Sequence, residues 1–393
     1  MSLSPQSLRE ECLAELKNNI LPYWRDKMVD HTNGGFYGRR DGFDKLDAEA
    51  DKGVILNTRI LWTFSLAGRR VSEEYHGLAT RAHQYLIDRF IDHDKGGVYW
   101  MVDFKGNPSN TKKQIYAQAF AIYALSEYYF LSRDETSLKH ARRLFDCIEQ
   151  YSLDPIDNGY LEAFDRDWNL LDDLRLSEKD ANEKKTMNTH LHILEAYTNL
   201  YRCWRDERLL RQLKNLIRLF IDKIITSDFH FGLFFDEQWN LRSKEISYGH
   251  DIEGSWLLYE AAIVSEDEKL IRESAGIAVR MADVAINEGL DEDGGLRNED
   301  HNADKDWWPQ AEAMVGLVNA GQISGKKEYL DTAVKVWNFI KRNIIDQKNG
   351  EWFWGISQSG EVFIHEDKAG PWKCPYHNSR AMFELDERLP RMK

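Results

Sequence analysis

The chain has 393 residues, 42% of them hydrophobic and 30% charged, a composition that fits a soluble globular protein with one large core or two or three average ones. A formal net charge of −14 disfavours a phosphate backbone or an anionic membrane surface as partner, because long-range repulsion slows the encounter, and leaves a neutral small molecule as the better fit. Its four cysteines, Cys12, Cys147, Cys203 and Cys374, form no CxxC pair, so neither a zinc knuckle nor a disulfide scaffold is indicated, and they read as reduced thiols of a cytoplasmic protein.

The opening segment MSLSPQSLREECLAEL carries charges where a signal peptide needs an apolar stretch, and no apolar run approaches about eighteen residues. Export by that route and membrane spanning are therefore not expected. Behind Pro5, the residues Leu8, Cys12, Leu16 and Ile20 recur at helical spacing, with Ser7 and Glu10 as a capping box. Counting this first segment, twelve helices are predicted, beginning near Ser4, Val54, Ser72, Lys113, Glu135, Lys185, Asp206, His250, Asp267, Trp307, Lys326 and Pro375.

A glycine-containing turn followed by aromatic or β-branched residues recurs between these segments: NGGFYG at Asn33, GGVYW at Gly96, NGYLE at Asn158, FGLFF at Phe231, GGLRNE at Gly294 and GEWFW at Gly350. Each is a weak match alone. The spacing, roughly 55 to 75 residues, is that of a repeated supersecondary unit. The links alternate between short ones and long ones that carry the glycine signature, so the twelve helices form six pairs. With no Pro/Gly/Ser-rich linker interrupting them, an all-α fold is expected, a single (α/α)6-barrel domain over residues 1–393 with short hairpins and long loops at one mouth. Two stacked helical domains would need a composition shift, and none is present.

The residues least like core or solvated surface stand at the starts of alternate segments: Arg59 in the second, Tyr116 in the fourth, Asn188 and His192 in the sixth, His250 and Glu253 in the eighth, Trp308 in the tenth and His377 in the twelfth. In a ring of pairs these starts share one mouth. Each has a plainer reading. A lone arginine in LNTRILWTF defaults to a structural ion pair. His190 and His192, two apart on a helix, point to different sides and cannot chelate one ion; His192 shares a face with Asn188 and Glu195, and His190 reads as a satisfied structural histidine. His250 and Glu253, three apart, can meet, which would raise the histidine's pKa. Pro375 suits a first turn and places His377 near a helix N-terminus behind Trp372. The thirteen tryptophans are mostly core, with some suited to stack on sugar rings. Convergence of all six sets is what separate structural explanations do not predict.

The segments TMNTHLHILEAY, SYGHDIEGSWLL, WWPQAEAMVG and WKCPYHNSR closely resemble the cellobiose 2-epimerases of the N-acylglucosamine 2-epimerase superfamily, over essentially the full chain. That resemblance implies an (α/α)6 barrel that epimerises the reducing-end glucose of β-1,4-linked disaccharides to mannose. It implies His250 and His377 as the acid/base pair, His192 and Arg59 as supports of the anionic intermediate, and Tyr116, Asn188, Asp180, Glu253, Trp308 and Trp372 as sugar contacts. The WWPQAEA segment also occurs in monosaccharide 2-epimerases and aldose–ketose isomerases, so the length of the sugar stays open.

Such chemistry needs an open-chain aldehyde to acidify the C2 hydrogen, one group to remove that proton and another to return one on the opposite face after the C2–C3 bond of a cis-enediolate rotates. Arg59, His192 and helix N-termini would meet the enediolate charge. No step needs a cofactor or metal, and no GxGxxG or Walker loop is evident. A glycoside hydrolase would need two opposed carboxyl groups, whereas histidine is the repeated residue here; a sugar-binding protein would keep the tryptophans without needing three histidines. A monomer or weak homodimer is expected.

Overall fold

A computed structural model describes residues 3–392. Helices form at all twelve expected places: α1 (Pro5–Glu15), which runs through a π turn into α2 (Leu21–Lys27), then α3 (Val54–Arg70), α4 (His76–Tyr85), α5 (Ile115–Ser132), α6 (Glu135–Cys147), α7 (Met187–Cys203), α8 (Glu207–Leu219), α9 (Tyr248–Ser265), α10 (Glu268–Gly289), α11 (Trp307–Ser324), α12 (Glu328–Phe339) and α13 (Tyr376–Arg388). The capping residue of α1 differs from the expectation. Ser4, one turn before Ser7, accepts from the Ser7 N–H, because Pro5, with its fixed φ and missing donor, belongs at the first helical position and draws the start forward.

Two kinds of helix alternate. Every residue of α5 from Ile115 to Tyr128 is buried, as befits a helix that is apolar nearly all round. In α8 the buried set is Leu209, Leu213, Leu216, Ile217 and Leu219, one stripe with charge opposite. The buried kind packs in closed order: α3 on α5, α5 on α7, α7 on α9, α9 on α11, α11 on α13, and α13 back on α3. The striped kind lies outside, with α4 on α3, α6 on α5, α8 on α7, α10 on α9, α12 on α11 and α1 on α13.

Short antiparallel pairings circle the end of the ring where the inner helices begin. Lys52–Gly53 pairs with Met101–Val102, Lys113–Gln114 with Ala163–Phe164, Lys185–Thr186 with Phe234–Phe235 and Lys305–Asp306 with Gly355–Ile356. A Ser247–Glu299 bridge and an Arg40–Ala369 bridge fill the two remaining places. Each pairing ties the residues just before an inner helix to the next unit's long link.

The lysines of these strands are buried and hold the glycine turns. Lys52 Nζ lies 2.7 Å from Asp30 and donates to the Gly34 carbonyl, Lys113 reaches Asp92 and Gly96, Lys185 reaches Asp154 and Asn158, and Lys305 reaches Asp291 and Asp293. In the sixth unit Lys368 pairs with Asp346. The aspartates also accept backbone N–H groups of their own turns, as Asp30 does from Thr32 and Asn33. In the fourth unit the corresponding support is His230 on Asp251 at 2.7 Å.

A second link binds turn to inner helix. Gln118 both donates to and accepts from Val98, and Gln310 does the same with Leu296. His190 fills this role in the third unit: Nδ1 lies 2.6 Å from the Thr186 carbonyl and Nε2 accepts from the Tyr160 N–H at 2.9 Å. It is a structural histidine, as its spacing suggests, and burial pushes its pKa down to about 4. The turn it grips needs Gly159, whose φ is +83° and whose Cβ would meet the Trp239 ring at 2.4 Å.

Candidate active site

The inner-helix starts bring Arg59, Tyr116, His192, His250, Trp308 and His377 into one connected set. The Tyr116 and His192 rings are 4.9 Å apart, His250 and Trp308 4.8 Å, and Trp308 and His377 5.6 Å. Phe120 and Tyr376 join the two halves: Phe120 lies 4.6 Å from His192 and 5.3 Å from Tyr376, and Tyr376 lies 4.7 Å from His377.

The three histidines share a plan. His377 Nδ1 is 2.7 Å from Glu312 Oε1, His192 Nδ1 is 3.0 Å from Glu195 Oε2, and His250 Nδ1 is 2.7 Å from Ser247 Oγ, the N-cap of α9. None of their Nε2 atoms is hydrogen-bonded by a described residue. Since a carboxylate accepts, the network assigns the Nδ1 proton to His377 and His192 and leaves Nε2 with the lone pair.

Burial holds the His250 pKa down at about 4, with Glu253 acting the other way and His192 adding to the depression. This reverses the expected rise. Glu253 does not hydrogen-bond His250; its Oε1 is taken by Arg380 Nη2 at 2.5 Å, so desolvation of the ring outweighs the carboxylate. His377 is also pushed well below its ordinary value by burial, again against Glu253. Burial thus makes both rings harder to protonate than a free imidazole, and one carboxylate acts on both.

Arg380 was not among the sequence candidates. Its Nη2 bridges Glu253 and Glu312 at 2.5 and 2.6 Å, and its Nη1 meets Glu195 and the Tyr376 hydroxyl. Against the cost of burial, Arg380, His192 and Tyr376 hold Glu195 down at about 2. Trp256 Nε1 donates to the other oxygen of Glu312 at 3.0 Å. A spacing signal existed: His192–Glu195, His250–Glu253 and His377–Arg380 are each three apart, which puts each charged residue on its histidine's face. Glu312 likewise lies four after Trp308. Glu253, Glu312 and His377 each place one ligand atom within 4.8 Å of the others, but Arg380 already sits between the two carboxylates as their cation.

Arg59 has no carboxylate partner among the described residues, contrary to the default ion pair. It is buried, donates to Tyr116 Oη at 2.8 Å, approaches Cys374 Sγ at 3.6 Å, and lies between the rings of Phe120 and Tyr376 at 4.2 and 4.7 Å. Its Nε is buried without an acceptor among the described residues. Phenol, thiol and rings fix the group without neutralising it.

The remaining candidates lie at the rim. Asn188 stands in the first turn of α7 with a buried Oδ1 that has no partner among the described residues. Trp372 packs 6.0 Å from Tyr116 and 5.8 Å from Trp100, which belongs to the second glycine signature. Asp180 lies in the link before α7, where it accepts from the Ser177 N–H at 2.8 Å, and it contacts none of the three histidines.

The model of the N-acylglucosamine 2-epimerase (GlcNAc 2-epimerase) family matches residues 35–381. A cellobiose 2-epimerase of Bacteroides fragilis is 52% identical over 386 residues, 96% of this chain and 98% of that protein. The solved cellobiose 2-epimerase of Bacillus thermoamylovorans B4167 superposes with a TM-score of 0.92 at 40% identity, covering 98% of this chain and all of that one. A D-mannose isomerase structure, at 19% identity and a TM-score of 0.84 over 96% of this chain and 97% of that one, shares the fold.

Proposed function

Since the chain belongs to the N-acylglucosamine 2-epimerase family and is a sugar 2-epimerase, we propose that it interconverts glucose and mannose at the reducing end of β-1,4-linked disaccharides such as cellobiose and lactose. The closed order of six inner and six outer helices is read as one (α/α)6-barrel domain spanning the chain. The site takes a small sugar, works without a cofactor, and belongs to a cytoplasmic monomer or weak homodimer; no described helix is long and apolar enough to cross a membrane.

The observation that carries the mechanism is the placing of His250 and His377 against one tryptophan, each with Nδ1 held and Nε2 unbound. With the sugar ring open, the aldehyde acidifies the C2 hydrogen. One imidazole enters neutral and takes that proton at Nε2, and the C–H electron pair passes into a cis-enediolate. The C2–C3 bond rotates. The other imidazole, entering protonated, delivers its proton to the opposite face of C2, so the two rings have exchanged protonation states. Glu253 favours whichever ring carries the extra proton, since its charge acts on both. Arg59, with Tyr116 on its Nη2, and His192, steadied by Glu195, face the enediolate oxygens. Asn188, Asp180, Trp308 and Trp372 contact the sugar.

Incubation with cellobiose in D2O tests this reading. Deuterium at C2 of an intact disaccharide, absent with His377→Asn, is the expected result. Free glucose would identify a hydrolase, a ketose product an aldose–ketose isomerase, and turnover of mannose but not cellobiose a monosaccharide epimerase.

A further inference from the structure

We infer that the chain carries a second ligand site, at the end of the helix ring opposite the histidines, for a neutral polyhydroxylated molecule of the size of a mono- or disaccharide. A cavity of about 520 Å3 opens there among the C-terminal halves of the inner helices, within the range of roughly 300 to 1,000 Å3 common to small-molecule sites.

Its lining contains five arginines and five glutamates, and they compensate one another. Arg202 and Arg388 both reach Glu260, Arg388 also reaches Glu384, Arg70 and Arg391 share Glu387, and Arg69 lies 3.3 Å from Glu127. Glu195 is paired from the far side by Arg380. A wall balanced in this way has no surplus charge to hold an ion. It does hold many donors and acceptors in fixed positions, which is what a set of hydroxyl groups requires.

One lining side chain points to an occupant more specifically. Trp62 is 3% exposed, and its Nε1 donates to no described residue. Buried donors are normally satisfied, and a hydroxyl oxygen of an occupant would accept from it.

The floor of this cavity is the back of the active site. Glu195 lines it while holding His192 at 3.0 Å, and Trp256 lines it while donating to Glu312, the partner of His377. An occupant therefore touches the supports of two histidines, and any change that filling one end makes in the affinity of the other is matched in the reverse direction.

The test is a binding count, independent of any epimerisation. The full chain carrying His377→Asn, which prevents turnover, is titrated with radiolabelled mannose in equilibrium dialysis. Two equivalents per chain are expected. Thr198→Phe, replacing a lining residue whose hydroxyl serves only its own helix at Leu194, should reduce the count to one. Trp62→Phe, which keeps a ring and removes the unpartnered N–H, should weaken the second equivalent about tenfold and decides the matter if Thr198→Phe does not fold. A single equivalent in the unfilled chain, or two that neither substitution alters, overturns the inference. So does equal competition by glycine betaine, which would mean a zwitterion site.

Discussion

A guanidinium taken out of water normally brings a carboxylate with it, because an isolated buried charge is costly. Arg59 has a phenol, a thiol and two rings instead, so its charge remains available to an anion formed during the reaction. Arg59→Ala should lose about 3 to 4 kcal/mol of transition-state stabilisation, roughly a hundredfold to a thousandfold in kcat; full turnover by that variant would remove Arg59 from the mechanism. The same desolvation logic fixes the pH response of the base. Burial holds the pKa of His250, the proposed base, down at about 4, so the acid limb of the initial-rate profile should lie near pH 4, below which its Nε2 has no lone pair left to take the C2 proton. A limb near 6.5 would mean that burial does not control it. The histidines and Arg59 were legible in the sequence because unusual residues stood at the starts of alternate helices. The sign of the His250 shift was not: three-residue spacing puts Glu253 on the right face, but only the position of Arg380 shows that its Oε1 is already engaged.

At the scale of helices and turns, the buried lysines are the repeated device that the sequence concealed. A lysine just before a helix reads as surface, and its turn aspartate is some twenty residues away, so no local pattern joins Lys52 to Asp30 or Lys113 to Asp92. The glycine signatures were legible because the turns require them wherever they occur. Lys52→Met leaves Asp30 buried without its cation and should cost about 3 to 5 kcal/mol, read as a fall in the denaturation midpoint with an unchanged slope. His190 gives a complementary test, since Gln118 and Gln310 do its work in other units. Its folded pKa of about 4 lies below the 6.5 of an open ring, so between those values the unfolded chain binds more protons than the folded one. The stability this histidine contributes is complete above pH 6.5 and is lost as pH falls toward 4, on the order of 3 kcal/mol in full. His190→Gln should flatten that acid loss in urea titrations between pH 4 and 6.5; an unchanged slope would mean that the ring is already charged in the fold.

For the whole molecule, ring closure depends on α13, which packs on α11, on α3 and on the outer helix α1. An open array of helix pairs would tolerate loss of its last member. Here a chain ending before Pro375 should lose cooperative unfolding throughout, because α3 and α11 would each be left with an apolar face in water; a sharp thermal transition near that of the full chain would show that the remaining pairs stand alone. The number of helices could be counted in the sequence, but closure could not be read from any segment, since it rests on contacts such as Arg59 with Cys374 and Thr63 with Ser379, which are more than three hundred residues apart. Those separations also bear on time. Contacts between distant parts of a chain form late, after the loop entropy between them has been overcome, and His377 and Arg380 both ride on the helix that makes them. During refolding most of the helical signal should therefore return before any catalysis does, and the rate at which turnover reappears should report the docking of α13 alone.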